Sequence, residues 1–206
     1  MIEKAKYNFL KNKYAHIASW AIWDKAPSGE EKTKKNIDGD EWCSNDKDLL
    51  QRIHGKYVFV ATNPYNEQTI SKQIEKKESR HPWNSNFHSP SPHAQDYKLR
   101  YATEGTEMEG AYITDLIKDV HSHDVNKLKK EMKNDPSILA RNIAEFKKEL
   151  AHLSDKPIIV ALGNDVYNWL KPLYNEYKVF KMSHYSRYIN LDKYRKEAIA
   201  IIKSCK

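Results

Sequence analysis

The stretch Lys56-Tyr57-Val58-Phe59-Val60-Ala61-Thr62-Asn63-Pro64-Tyr65-Asn66 decides the fold. Its first half is a β-branched and aromatic run, the composition of a buried strand. It then breaks into Asn-Pro-Tyr-Asn. Pro64 has no N–H and a fixed φ, so a central strand cannot run through it. The residue before a proline is held extended, which puts Asn63 at the strand's end. A polar side chain at the carboxyl end of an apolar strand is where open α/β sheets bind ligands.

Three further strands follow: Gly110-Ala-Tyr-Ile-Thr-Asp-Leu-Ile117, Pro157-Ile-Ile-Val-Ala-Leu162 and Tyr177-Lys-Val-Phe-Lys-Met182. The middle one is the continuous apolar run of a strand covered on both faces. Helical patterns fall at 67–80, 94–103, 136–153, 165–175 and 191–204, and 124–134 reads as a charged helix or loop. Asn45 or Asp46 can cap a helix over 46–54 that Gly55 ends. Residues 3–23 have helical periodicity, with Phe9, Leu10, Tyr14, Ile17, Ala18, Ala21 and Ile22 on one side. Strands separated by helices predict crossover units and a parallel sheet. The expected class is α/β, a three-layer α/β/α fold with a four-stranded parallel sheet. Counting from strand 56–62, its order is 2-1-3-4. Residues 1–206 form one domain, with 1–45 as a helical N-terminal extension.

The chain has 206 residues and a net charge of +7. A basic, aromatic-rich composition is compatible with nucleic acid. No apolar run approaches a membrane span and no signal peptide is visible, so the expected location is cytoplasmic, away from membranes. Cys43 and Cys205 are too few for a four-ligand metal site and read as free thiols. His81, His88, His93, His121 and His123 lack neighbouring cysteines and a helical His-x-x-x-His spacing, so they read as surface histidines and no metal is expected. There is no Walker loop, Gly-x-Gly-x-x-Gly or Gly-x-Ser-x-Gly.

In a parallel sheet all carboxyl ends point one way. One rim then collects Asn63, Asp115, Gly163-Asn164 and Ser183-His184-Tyr185-Ser186, a credible active-site constellation. At these residues the chain resembles the uracil-DNA glycosylase superfamily. Ala61-Thr62-Asn63-Pro64-Tyr65-Asn66 is similar to that family's first motif, a mixture of its Gly-Gln-Asp-Pro-Tyr-His and Asn-Pro-Gly versions. His184-Tyr185-Ser186-Arg187-Tyr188 resembles its His-Pro-Ser-Pro motif with the wedge residue that follows. Between them, Asp115 stands where the family's second strand ends in Asn, and Leu162-Gly163-Asn164 matches a tryptophan-glycine or similar turn. The likeness covers about residues 55–204.

The resemblance implies a monofunctional DNA glycosylase, with roles assigned by motif position. It would flip a base out of DNA and hydrolyse its N-glycosidic bond in base-excision repair, as a monomer and without cofactor. Asn63 would orient the attacking water, and His184 would donate to the departing base. Ser186 would hold a phosphate, with Arg187 or Tyr188 entering the gap left by the base. Gly163 and Asn164 would contact DNA from their turn. Phe87 is the candidate for stacking on the base, with Trp83 as competitor. Tyr65 corresponds to a tyrosine associated with blocking 5-substituted bases. Ser89-Pro90-Ser91-Pro92 is similar to the loop that grips the DNA backbone, with Ser89 and Ser91 as its polar groups. Plainer readings stand beside these: a turn-forming Asn63, a structural His184, core packing for Phe87 and Trp83, surface packing for Arg187 and Tyr188, and a rigid surface loop at 89–92.

Asp115 departs from the pattern. An ionised carboxylate only accepts hydrogen bonds, so it opposes O4 of uracil but suits the amino group of cytosine. A protonated Asp115 in a dry pocket could still donate, but that requires a raised pKa. The departure puts plain uracil in doubt and makes a cytosine-like or modified base a serious hypothesis. Two other functions fit the same residues: a catalytically weak nucleic-acid-binding protein, and an enzyme acting on free nucleosides or nucleotides.

Overall fold

The computed structural model describes residues 2–33, 41–63, 82–83, 87–88, 94–120, 122 and 124–206. Helix α1 spans Lys4–Tyr14 and strand β1 spans Ala18–Trp20. After them come α2 (Asp46–Arg52), β2 (His54–Ala61), α3 (Tyr97–Thr103), β3 (Ala111–Asp115), α4 (Val125–Asn134) and α5 (Ser137–Leu150). The chain finishes with β4 (Ile158–Leu162), α6 (Asn164–Trp169), β5 (Val179–Met182) and α7 (Leu191–Ser204). The helical pattern at 67–80 lies outside the described residues.

The sheet has five strands in the order β1-β3-β2-β4-β5. The four expected strands are all present and mutually parallel. The fifth corrects the expectation of a continuous helix over 3–23. Ala18–Trp20 pairs antiparallel with β3, Ala18 opposite Thr114 and Trp20 opposite Tyr112. Every β1 residue is buried. A three-residue run buried on both sides, its polar Ser19 included, has no period to separate strand from helix. Residues 4–20 thus do not stand apart from the sheet, because α1 also packs into one of its cores.

Alternation along β2 builds two cores. Val58 and Val60 face the core made with α1, α2 and α5, and Tyr57, Phe59 and Ala61 face the one made with α3 and α7. Side chains of helices therefore cover both faces.

Other boundaries move for local reasons. Asn45 caps α2 through a 2.8 Å bond from Lys47 N–H, but the helix ends at Arg52, so Gly55 lies inside β2 rather than ending the helix. The helix expected over 165–175 breaks after Trp169 into a short 3-10 turn, Lys171–Leu173, containing Pro172. Proline cannot supply the N–H that an α-helix needs there. Segment 124–134 is a helix, capped by Asp124 accepting from Asn126 N–H at 2.8 Å. Phe9, expected on the apolar face of α1, is 37% exposed and stacks on the His152 ring at 3.8 Å.

Candidate active site

Register brings the strand ends level. Ala61 lies opposite Asp115 across β2 and β3, Val60 opposite Ala161, and Leu162 opposite Met182. Asn63 and His184 each follow two residues beyond the last paired position of their strands. A cavity of about 370 Å³ opens there, in the usual range for small-ligand sites of roughly 300–1,000 Å³. Asn63, Phe87, Asp115, His184 and Ser186 all line it, together with Thr62, Ser122, Val125 and Tyr185.

Asn63 is held by its nitrogen. Nδ2 donates to the carbonyl oxygens of Val120 and Ser122 at 3.2 and 2.9 Å. Only the NH₂ end of an amide can face two carbonyls, so its orientation is settled by chemistry. The side chain's acceptor is then Oδ1.

The clamping segment is itself tied to α5. Asn142, 3% exposed, accepts from Lys118 N–H at 2.8 Å. It also donates to Asp119 Oδ1 at 2.6 Å and to the Ile138 carbonyl at 2.8 Å.

His184 is held by its turn. Nδ1 accepts the Ser186 N–H at 3.1 Å and lies 2.8 Å from Ser186 Oγ. An acceptor at Nδ1 puts the proton of the neutral ring on Nε2. Burial pushes the His184 pKa down from 6.5 to about 4, so the ring is neutral at physiological pH and presents an N–H donor. Glu197 anchors the preceding residue, accepting from Ser183 N–H at 2.7 Å and Ser183 Oγ–H at 3.0 Å. Lys98 Nζ holds the Arg187 carbonyl at 2.7 Å.

The depressed His184 pKa has a stability consequence. Between pH 6.5 and about 4 the unfolded chain takes up a proton that the folded ring resists. Stability from this group is complete above pH 6.5 and falls as the pH drops through that window. Thermal melts at pH 7 and pH 5 should show a smaller acid loss for His184→Asn than for the wild type. Equal losses would mean that His184 is not desolvated.

Asp115 is 2% exposed and closes β3, with its carbonyl oxygen receiving Lys118 Nζ at 2.6 Å. Phe87 is 3% exposed and belongs to the core on the pocket side of the sheet. Trp83, its competitor for stacking, is fully buried in the opposite core, against Trp20 and Tyr7. Two residues separate by face what their spacing in the chain left together.

Ser186 lines the cavity, and Arg187 and Tyr188 follow it in the chain; all three are exposed, Tyr188 completely so. The Ser186 hydroxyl is engaged with His184. Gly163 and Asn164 do not line the cavity. Gly163 has φ +103°, and a Cβ there would lie 3.7 Å from His184 Cβ, so a glycine fits the turn behind the histidine. Asn164 is exposed at the start of α6. Tyr65, Ser89 and Ser91 lie outside the described residues, as do His81, His93, His121 and His123. His88, read as a surface histidine, is instead buried, with Nε2 2.7 Å from Ser19 Oγ and its ring stacked on Trp42.

Sequence reading assigned no role to Thr62, Ser122, Val125 or Tyr185. A cue for Ser122 lay in Ser122-His-Asp124 ahead of an apolar residue, the type of sequence that opens a helix. Among the described residues, no group of three or more His, Cys, Asp or Glu is placed to hold a metal ion. No described helix is long and apolar enough to cross a membrane. Cys43 and Cys205 are both free thiols. Comparisons with family models, curated proteins and solved structures find no match to this chain.

Proposed function

We propose that this protein is a monofunctional DNA glycosylase of the uracil-DNA glycosylase type, directed at a cytosine-like base. One observation carries the reading. Asn63, Phe87, Asp115 and His184, drawn from separate parts of the chain, line one cavity at the carboxyl ends of the sheet.

The chemistry assigned to them takes Asp115 as ionised. A base flipped into the cavity stacks on Phe87, a contact worth roughly 1–3 kcal/mol. Asn63 orients a water through Oδ1 toward the sugar carbon. An amide is not a base, so the water's proton leaves to solvent or to the departing base. As the C–N bond breaks, its electron pair moves onto the base, and the His184 Nε2–H faces the oxygen where that charge collects. The Asp115 carboxylate accepts from an exocyclic amino group. Ser186, Arg187 and Tyr188 stand at the mouth, where DNA backbone and the vacated stack would lie. The net charge of +7 favours a polyanionic partner.

Product analysis tests the reading. The protein is incubated with DNA carrying a single uracil, hypoxanthine, cytosine or modified cytosine, and abasic sites are counted. Abasic product from none of them, despite tight DNA binding, would leave a binding protein and no enzyme. The target base is tested by Asp115→Asn, which exchanges a pure acceptor for a group that also donates. Cytosine cleavage should fall and uracil cleavage rise, each by about 1–3 kcal/mol or roughly 5–150-fold. Strong uracil cleavage by the wild type, not improved by Asp115→Asn, would refute the cytosine assignment.

A further inference from the structure

Among the described residues that line the cavity, Tyr185 carries the one aromatic hydroxyl. Its ring stacks on His184, with centroids 4.4 Å apart and planes 29° from parallel. The stack places it beside the donor already assigned to the base. Burial and the nearby carboxylates of Asp115 and Asp96 push its phenol pKa up, so the group keeps its proton. The hydroxyl makes no hydrogen bond to any described residue, and the ring is only half-buried. A protonated phenol that borders a cavity and has no acceptor among the described residues is a donor for whatever enters.

We infer that Tyr185 is a specificity-determining residue whose hydroxyl donates to the ring nitrogen of a cytosine-type base. The inference rests on the base-pocket part of the reading above. The wall then offers three complementary groups: the Asp115 carboxylate as acceptor, the Tyr185 hydroxyl as donor and the His184 Nε2–H as donor. The cytosine edge runs amino donor, N3 acceptor, O2 acceptor, and satisfies all three. Uracil runs O4 acceptor, N3–H donor, O2 acceptor. It sets O4 against the carboxylate, and toward its N3–H the phenol can only accept, leaving the phenol's own hydrogen unpaired. Buried polar groups left unpaired are what make such a pocket selective.

The test uses the full chain with free cytosine and free uracil as probes, their binding followed by NMR titration. Tyr185→Phe removes the hydroxyl and keeps the stack on His184. Cytosine affinity is expected to fall about tenfold and uracil affinity by less, so the cytosine-to-uracil ratio drops. An unchanged ratio, or a wild type that prefers uracil, overturns the inference. Thermal melts and proton spectra check that the variant remains folded. Should it unfold, Tyr185→Trp offers a second large ring with an N–H donor and should retain a preference for cytosine. Loss of that preference in a folded Tyr185→Trp protein would also overturn the inference. The abasic-site assay run on the wild type keeps the two claims apart. A cytosine preference that depends on Tyr185, without abasic product, would refute the glycosylase and leave the pocket assignment standing.

Discussion

Asn63→Ala should reduce base excision by about 10²–10³-fold while leaving DNA affinity within a few fold. The asymmetry is the informative part. Asn63 lines the cavity, with its nitrogen clamped by the Val120 and Ser122 carbonyls. On the proposed reading, this fixed amide would present Oδ1 to the attacking water. DNA would be held by phosphate contacts elsewhere, so the loss of Asn63 would cost little affinity. Single-turnover cleavage and a binding titration on the same duplex separate the two effects. A collapse of DNA binding with the chemistry intact would make Asn63 a contact residue, not a water-orienting one. Asn63→Asp is a useful companion. A carboxylate cannot donate to two carbonyls, so the clamp should break and activity should fall even though an acceptor remains.

Lys118→Met should destabilise the fold by about 3–5 kcal/mol, whatever the protein's function. Lys118 and Glu149 are 9% and 0% exposed and form a 2.7 Å ion pair. Glu149 also accepts from the Tyr112 hydroxyl at 2.6 Å, and Lys118 Nζ donates to Thr114 Oγ1 at 2.8 Å. Removing the cation leaves a buried carboxylate with a single phenol. The double variant Lys118→Met/Glu149→Gln removes both charges and keeps an acceptor for Tyr112, so it should recover much of the loss. Urea unfolding of wild type, single and double variants measures this directly. A loss below about 1 kcal/mol in the single variant would mean that water reaches Glu149. The same lysine grips the Asp115 carbonyl, so the single variant should also loosen the end of β3 at the cavity.

The rim residues were legible because they obey local rules. The Asn-Pro pair predicts a strand end near Asn63, and β2 does end two residues earlier at Ala61; parallel strands align their carboxyl ends, which places Asp115 and His184 there by counting. Phe87 and Trp83 were not separable, because the sheet face each one reaches depends on how its loop folds back. Tyr185 lay within a recognised motif, yet its stack on His184 is a contact of rings and leaves no mark on spacing. Ser122 and Val125 reach the cavity because the chain leading into α4 lies against Asn63, whose nitrogen bonds the Ser122 carbonyl. The strand at Ala18–Trp20 was hidden for another reason: it is three residues long and buried on both sides, so its one polar residue, Ser19, marks no solvent face.

By itself, then, the sequence determined an α/β sheet, its four parallel strands and the polar groups at their ends, since those follow from proline geometry and apolar runs. Tertiary structure alone decided the fifth strand, the face on which each aromatic lies and the states of the site groups. The His184 tautomer is set by the Ser186 N–H, the Asn63 orientation by two carbonyls across the loop, and the buried Lys118–Glu149 pair by the packing of α5 on β3. Such contacts join residues far apart in the chain, and the energy of a buried polar group depends on the partner that packing brings to it.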